Sequence, residues 1–94
     1  MSDRIRTLVV DDEPAARRGI CLLLEDDLEI EVVGTCADGA EAVEAVRSME
    51  PKLVFLDVQM PEYDGFEVLA SLRPRDRPAV VFVTAYDEHA LRAF

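Results

Sequence analysis

Three carboxylates of this sequence are placed to act together. Asp11 and Asp12 follow the apolar run Leu8-Val9-Val10, and Asp57 follows Leu53-Val54-Phe55-Leu56. Adjacent side chains point to opposite sides of an extended chain, but at a strand-to-loop junction both members of the pair can converge on one point. Like charges held close in a partly dry site repel, and either a proton or a bound cation must relieve them. A hard divalent ion is the natural relief. Mg2+ fits best, because it accepts a few carboxylates and completes an octahedral shell with water. Thr84 ends a further apolar run, residues 80–83, where its hydroxyl could donate to an oxygen of an arriving anionic group; the small Ala85 leaves the approach open. Each of these residues has a plainer alternative. Asp12-Glu13-Pro14 could cap a helix, Asp57 could begin a turn, and Thr84 is a β-branched residue favoured in any strand.

What decides between these readings is whether the fold brings the strand ends together. Residues 5–10 form a nearly continuous apolar run that suits a strand covered on both faces. Pro14 stands where a helix's first turn tolerates proline, followed by Ala16, Ile20, Leu23 and Leu24 at helical spacing with Arg17 and Arg18 on the other face. Residues 30–35 alternate apolar with acidic, the pattern of an edge strand. Asp38-Gly39 precedes a second amphipathic helix through Ala42, Val43, Val46 and Met49, which Glu50-Pro51 ends. A buried strand, 53–56, leads to Asp57, and a loop at 61–65 leads to a third helix marked by Phe66, Leu69 and Leu72. Spacing places Phe66 and Phe82 in the core. Arg73-Pro74 and Arg77-Pro78 bracket a turn before the strand 80–83, and Asp87 would cap a last helix through Ala90, Leu91 and Phe94. Strands alternating with helices predict an α/β fold: a parallel sheet with helices on both faces. With the polar second strand outside the first, right-handed crossovers give the order 2-1-3-4. The first and third strands then meet at a topological switch point, beyond whose carboxyl ends such sheets bind ligands.

Composition narrows the function. Ninety-four residues, half of them hydrophobic, make one small domain with a real core. No apolar run approaches the about 20 residues that cross a bilayer, and no signal peptide is legible, so the expected location is cytoplasmic. A net charge of −10 excludes nucleic-acid backbones and anionic membranes as partners of this segment. Cys21 and Cys36 are too few for a disulfide framework or a zinc site and are read as reduced and packed.

Val9-Val10-Asp11-Asp12-Glu13, then Leu56-Asp57-Val58-Gln59-Met60-Pro61 with Asp64-Gly65, then Val83-Thr84-Ala85 resemble the successive signatures of bacterial response-regulator receiver domains. The resemblance runs over residues 5–94. It implies a flavodoxin/CheY-like fold and a two-component signalling role. Asp57 matches the aspartate that takes a phosphoryl group from a sensor histidine kinase or a small donor such as acetyl phosphate. Asp11 and Asp12 match the acidic pair that holds Mg2+, and the backbone carbonyl of Gln59 matches a further metal ligand. Thr84 matches the switch hydroxyl, while Pro61 and Gly65 match the loop that follows the acceptor strand. Gln59 and Tyr86 stand where similar domains tune hydrolysis of the phosphoryl group, or they are plain surface residues. Receiver domains are phosphoacceptor signalling domains that assist their own phosphorylation and dephosphorylation, rather than enzymes acting on a separate substrate.

The match departs from the family at its end. Receiver domains continue to a fifth strand, whose lysine pairs with the phosphoryl group, and a fifth helix. The only lysine here, Lys52, starts the third strand at the wrong end of the sheet. The expectation is a C-terminally truncated receiver, 1–94, whose fourth strand is left as an edge open to homodimer formation or strand exchange. The tract from Thr84 to Phe94 is most similar to regulators with a LytTR-type output domain, so that any DNA contact would belong to a missing part. The lone His89 is read as an exposed polar residue. Three other readings compete. A phosphohydrolase would need an acid where Gln59 stands. A nucleotide-binding fold would need a glycine-rich loop where Asp-Asp-Glu-Pro stands. An inactive pseudo-receiver acting as an interaction domain would not need the intact acidic triad.

Overall fold

The computed structural model describes residues 3–83. Along the chain run β1 (Ile5–Val10), α1 (Pro14–Glu25), β2 (Ile30–Cys36), α2 (Gly39–Met49), β3 (Leu53–Asp57), α3 (Gly65–Ser71), a 3-10 turn at Pro74–Asp76 and β4 (Ala79–Val83). All strand pairs are parallel, in the order β2-β1-β3-β4. The polar alternation of β2 thus marks an edge, and the two strands that end in aspartates lie side by side. Thr84, Ala85, Tyr86, Asp87, His89, Ala90, Leu91 and Phe94 lie outside the described residues.

Apolar alternation sorts the side chains onto two faces. Leu8 and Val10 of β1 and Val54 and Leu56 of β3 meet Ala42, Val43 and Val46 of α2 and Val68 and Leu72 of α3 in one core. Thr7 and Val9, equally buried, face the other way, on the side where α1 packs over β1 and β2. Helix ends follow their local signals. Asp38 accepts from the Glu41 N–H at 2.8 Å to start α2, and Glu50, at φ 48°, turns the chain out of it before Pro51. Asp64 and Glu67 form a reciprocal capping box on α3. No helix among the described residues is long and apolar enough to cross a membrane.

Four expectations need correction. Leu23 is 79% exposed, because α1 rests on the stripe formed by Ala16, Arg17, Ile20, Cys21 and Leu24, and Leu23 falls beside it. Arg17, expected on the outer face, is half-buried within that stripe. Phe66 and Phe82 are exposed, not core. The inward residues of α3 are Gly65, Val68 and Leu69, continued by its C-cap Leu72, and Phe66 falls beside them; Phe82 lies on β4, and the two rings pack tilted at 42° with centroids 4.9 Å apart. Finally, β1 is covered on both faces only from Thr7 onward, since Ile5 and Arg6 are open to solvent.

Candidate functional site

β1 ends at Val10 opposite Leu56 of β3, so the next residue on each strand, Asp11 and Asp57, emerges at the same edge of the sheet. One carboxylate oxygen from each of Asp11, Asp12 and Asp57 lies within 4.8 Å of the others. Asp11 and Asp57 are both buried. Each is anchored by its own local turn: Asp11 Oδ1 accepts from the Glu13 N–H at 2.9 Å, and Asp57 Oδ1 from the Gln59 N–H at 3.1 Å. These turns satisfy part of each carboxylate and leave the remaining oxygens free to converge. Asp57 does begin a turn, as the plainer reading held, but it joins the cluster as well. Asp12 does not cap α1, whose N-cap is Glu13 and carries no side-chain cap bond.

The electrostatics match the crowding. Burial pushes the Asp57 carboxyl up from 3.8 to about 6, and the charges of Asp11 and Asp12 and a hydrogen bond to Asp12 push the same way against the Gln59 N–H. The Arg73–Asp76 ion pair lies elsewhere. Three oxygen donors, close together and without a neutralising side chain, fit a hard divalent cation better than a soft one.

The loop after Asp57 is tied down on both sides. The Val58 N–H donates to the Val83 carbonyl of β4 at 3.1 Å, and the Gly65 N–H returns to the Val58 carbonyl at 3.1 Å. Gly65 approaches so closely that a Cβ there would lie 2.7 Å from the Asp57 carbonyl oxygen, so only glycine lets α3 start against β3. Gln59 and Pro61 are exposed on this loop, while Met60 is buried beneath it. Tyr63 folds over Gly39 at the start of α2 and hydrogen-bonds Ser71.

Two contributors were missed from sequence. Arg17 reaches back from α1 to donate to the Asp11 carbonyl at 2.8 Å, and the DEPxxR spacing of one helical turn was the signal available for it. Cys36, at the end of β2, accepts the Asp11 N–H on its carbonyl at 3.1 Å. Its thiol is pushed up to about 11 by burial and by Glu41 and Asp38, against Arg17; both cysteines are free, and Cys36 is a packing residue rather than a nucleophile.

The response regulator receiver domain family matches residues 7–94. This chain belongs to that family of signalling domains. It is 48% identical over 90 residues to the transcriptional regulatory protein BtsR of Salmonella typhi, covering 96% of this chain and 38% of the relative; it therefore spans well under half the length of that relative. Among solved structures it is similar to the signal receiver domain of the response regulator NarL from Mycobacterium tuberculosis, with TM-score 0.82 and 36% identity over 95% of this chain and 73% of that one. It is also similar to a chain of the CheX-CheY-BeF3-Mg+2 complex from Borrelia burgdorferi, with TM-score 0.77 and 27% identity over 93% of this chain and 66% of that one.

Proposed function

We propose that Asp57 is the phosphoryl acceptor of a two-component relay, supplied by a sensor histidine kinase, with Mg2+ held by Asp11, Asp12, Asp57 and the Gln59 carbonyl. One observation carries the reading: two buried aspartates and a third carboxylate converge within 4.8 Å at the edge where ligands of this sheet bind. A relative of the same fold has been captured with Mg2+ and BeF3, a phosphoryl mimic. When bound, the metal neutralises charge on the transferring phosphoryl group and on the carboxylates around it. An Asp57 oxygen forms the new bond to phosphorus while the donor's bond breaks, leaving an acyl phosphate on Asp57 and the donor's histidine nitrogen, or the acetate of acetyl phosphate, as leaving group. Transfer of this kind is mostly positioning and charge neutralisation, which is what two anchored turns and a fixed loop supply. Hydrolysis by a water at the same phosphorus reverses the signal, at a rate tuned by Gln59 and Tyr86.

Thr84 is the switch hydroxyl in this reading: it donates to the new phosphoryl oxygens and draws the segment after β4 with it. Output lies outside this segment, in a DNA-binding part of LytTR type, consistent with relatives that are transcriptional regulators of greater length. The protein works in the cytoplasm. Among the described residues β4 lies at one side of the sheet, with Val81 42% exposed and Phe82 39% exposed, and homodimers or strand-exchanged oligomers would form through it.

Incubation with Mg2+ and acetyl phosphate, followed by intact-mass spectrometry, tests the reading. One added phosphoryl mass in the chain and none in Asp57→Ala is the expected result. Unchanged mass together with absent Mg2+ binding by NMR would overturn it, and a monomer by light scattering at high concentration would overturn the association through β4.

A further inference from the structure

Asp11 sits past the last β1–β3 pair, so its carbonyl has no ladder partner. Its N–H is held by Cys36 of β2 and its Oδ1 by the Glu13 N–H. The carbonyl is met instead by the Arg17 guanidinium, which turns back one helical turn to reach it at 2.8 Å. Asp11 is only 4% exposed, so water is a poor substitute for that donor. We infer that Arg17 is a positioning residue for the metal site: by fixing the Asp11 backbone against α1, it holds the free Asp11 oxygen at the spacing the cation needs. This deepens the proposed function and rests on it.

The inference has a direction that charge alone would not give. A guanidinium bonded to the Asp11 carbonyl disfavours a further cation nearby, so if Arg17 acted only through its charge, its removal would tighten Mg2+ binding. If it acts through position, removal loosens binding, as loss of a hydrogen bond behind a metal ligand does elsewhere. A purely structural residue would change thermal stability and leave affinity where it was.

The test is a Mg2+ titration of the chain, read from the amide shifts of Gln59 and Glu13, in wild type, Arg17→Gln and Arg17→Lys, with thermal unfolding followed in parallel. The expected outcome is a Kd raised roughly tenfold in Arg17→Gln, toward the low end for such partners, and largely restored in Arg17→Lys, which keeps a donor that can reach the carbonyl. Affinity that rises in Arg17→Gln, or that is unchanged while the melting temperature falls, overturns the inference. If Arg17→Gln does not fold, Arg17→Met, which keeps the apolar stem and removes every donor, decides: weaker Mg2+ binding upholds the inference, and unchanged or tighter binding overturns it. Failure of wild type itself to bind Mg2+ would overturn the metal site, a result distinct from either of these.

Discussion

The two ends of the sheet both carry concentrated charge, and they use it differently. At the amino ends of the strands, arginines are committed to carbonyls. Arg6 donates to Met49 at 2.6 Å at the end of α2, Arg47 to Ser71 at 3.2 Å and Arg77 to Leu72 at 3.1 Å at the end of α3. Helix carboxyl ends carry partial negative charge, and these cations complement it. The same residues, with Lys52 and Arg75, line a cavity of about 590 Å³. At the carboxyl ends the aspartates have no such assignment. Arg17, the cation found there, bonds a backbone carbonyl and leaves the carboxylates to repel. Charge that serves the fold is matched within the fold, whereas charge kept for a ligand is left unmatched. That cavity therefore lies at the opposite end of the sheet from the aspartate cluster.

The largest test of this contrast is the removal of the Asp57 charge. Without metal, Asp57→Asn should stabilise the chain at neutral pH by about 3 kcal/mol, the worth of a carboxyl raised from 3.8 to about 6. The sign follows from proton linkage: the folded state holds the Asp57 proton more tightly than the unfolded chain, so the metal-free wild type loses stability as pH rises from about 4 to about 6. The gain of Asp57→Asn should accordingly vanish below about pH 4, and urea unfolding across that range would show it. A gain that persisted there would mean the site is not strained by charge. Next in size, Mg2+ at ten times its Kd should stabilise wild type at neutral pH by about 1.4 kcal/mol, and Asp57→Asn by less than half of that at the same concentration, as read from thermal shifts. Smallest, Arg6→Ala should destabilise by about 1 kcal/mol through its lost bonds to the end of α2, with no change in Mg2+ binding; a change in that affinity would couple the two ends and break the contrast.

Much of this was legible in the sequence because it rests on local rules. The alternation of Glu29, Ile30, Glu31 and Val32 told an edge strand from the apolar runs before Asp11 and Asp57, and from that difference the sheet order followed. The acidic cluster then followed from the order. What sequence could not resolve were side-chain directions near a face boundary. Leu23 and Phe66 are hydrophobic but sit one step from the stripes their helices bury, and a short helix such as α3 gives too few turns to fix the phase. Arg17 was misread because a long charged side chain can lie along an apolar face while its head finds a carbonyl. The strength of the Asp57 shift depends on burial and on distances to Asp11 and Asp12, which spacing in the chain does not carry.

The adjacency of β1 and β3 has a last consequence. Between them in the chain lie α1, β2 and α2, so the acidic pair and Asp57 become neighbours only when β3 has slotted in beside β1, across from β2. A nascent, nicked or half-unfolded chain holds all three aspartates and still has no pocket. The arrangement is thus a built-in form of quality control, in which a message can be taken up only by a receiver whose central strands are already in place.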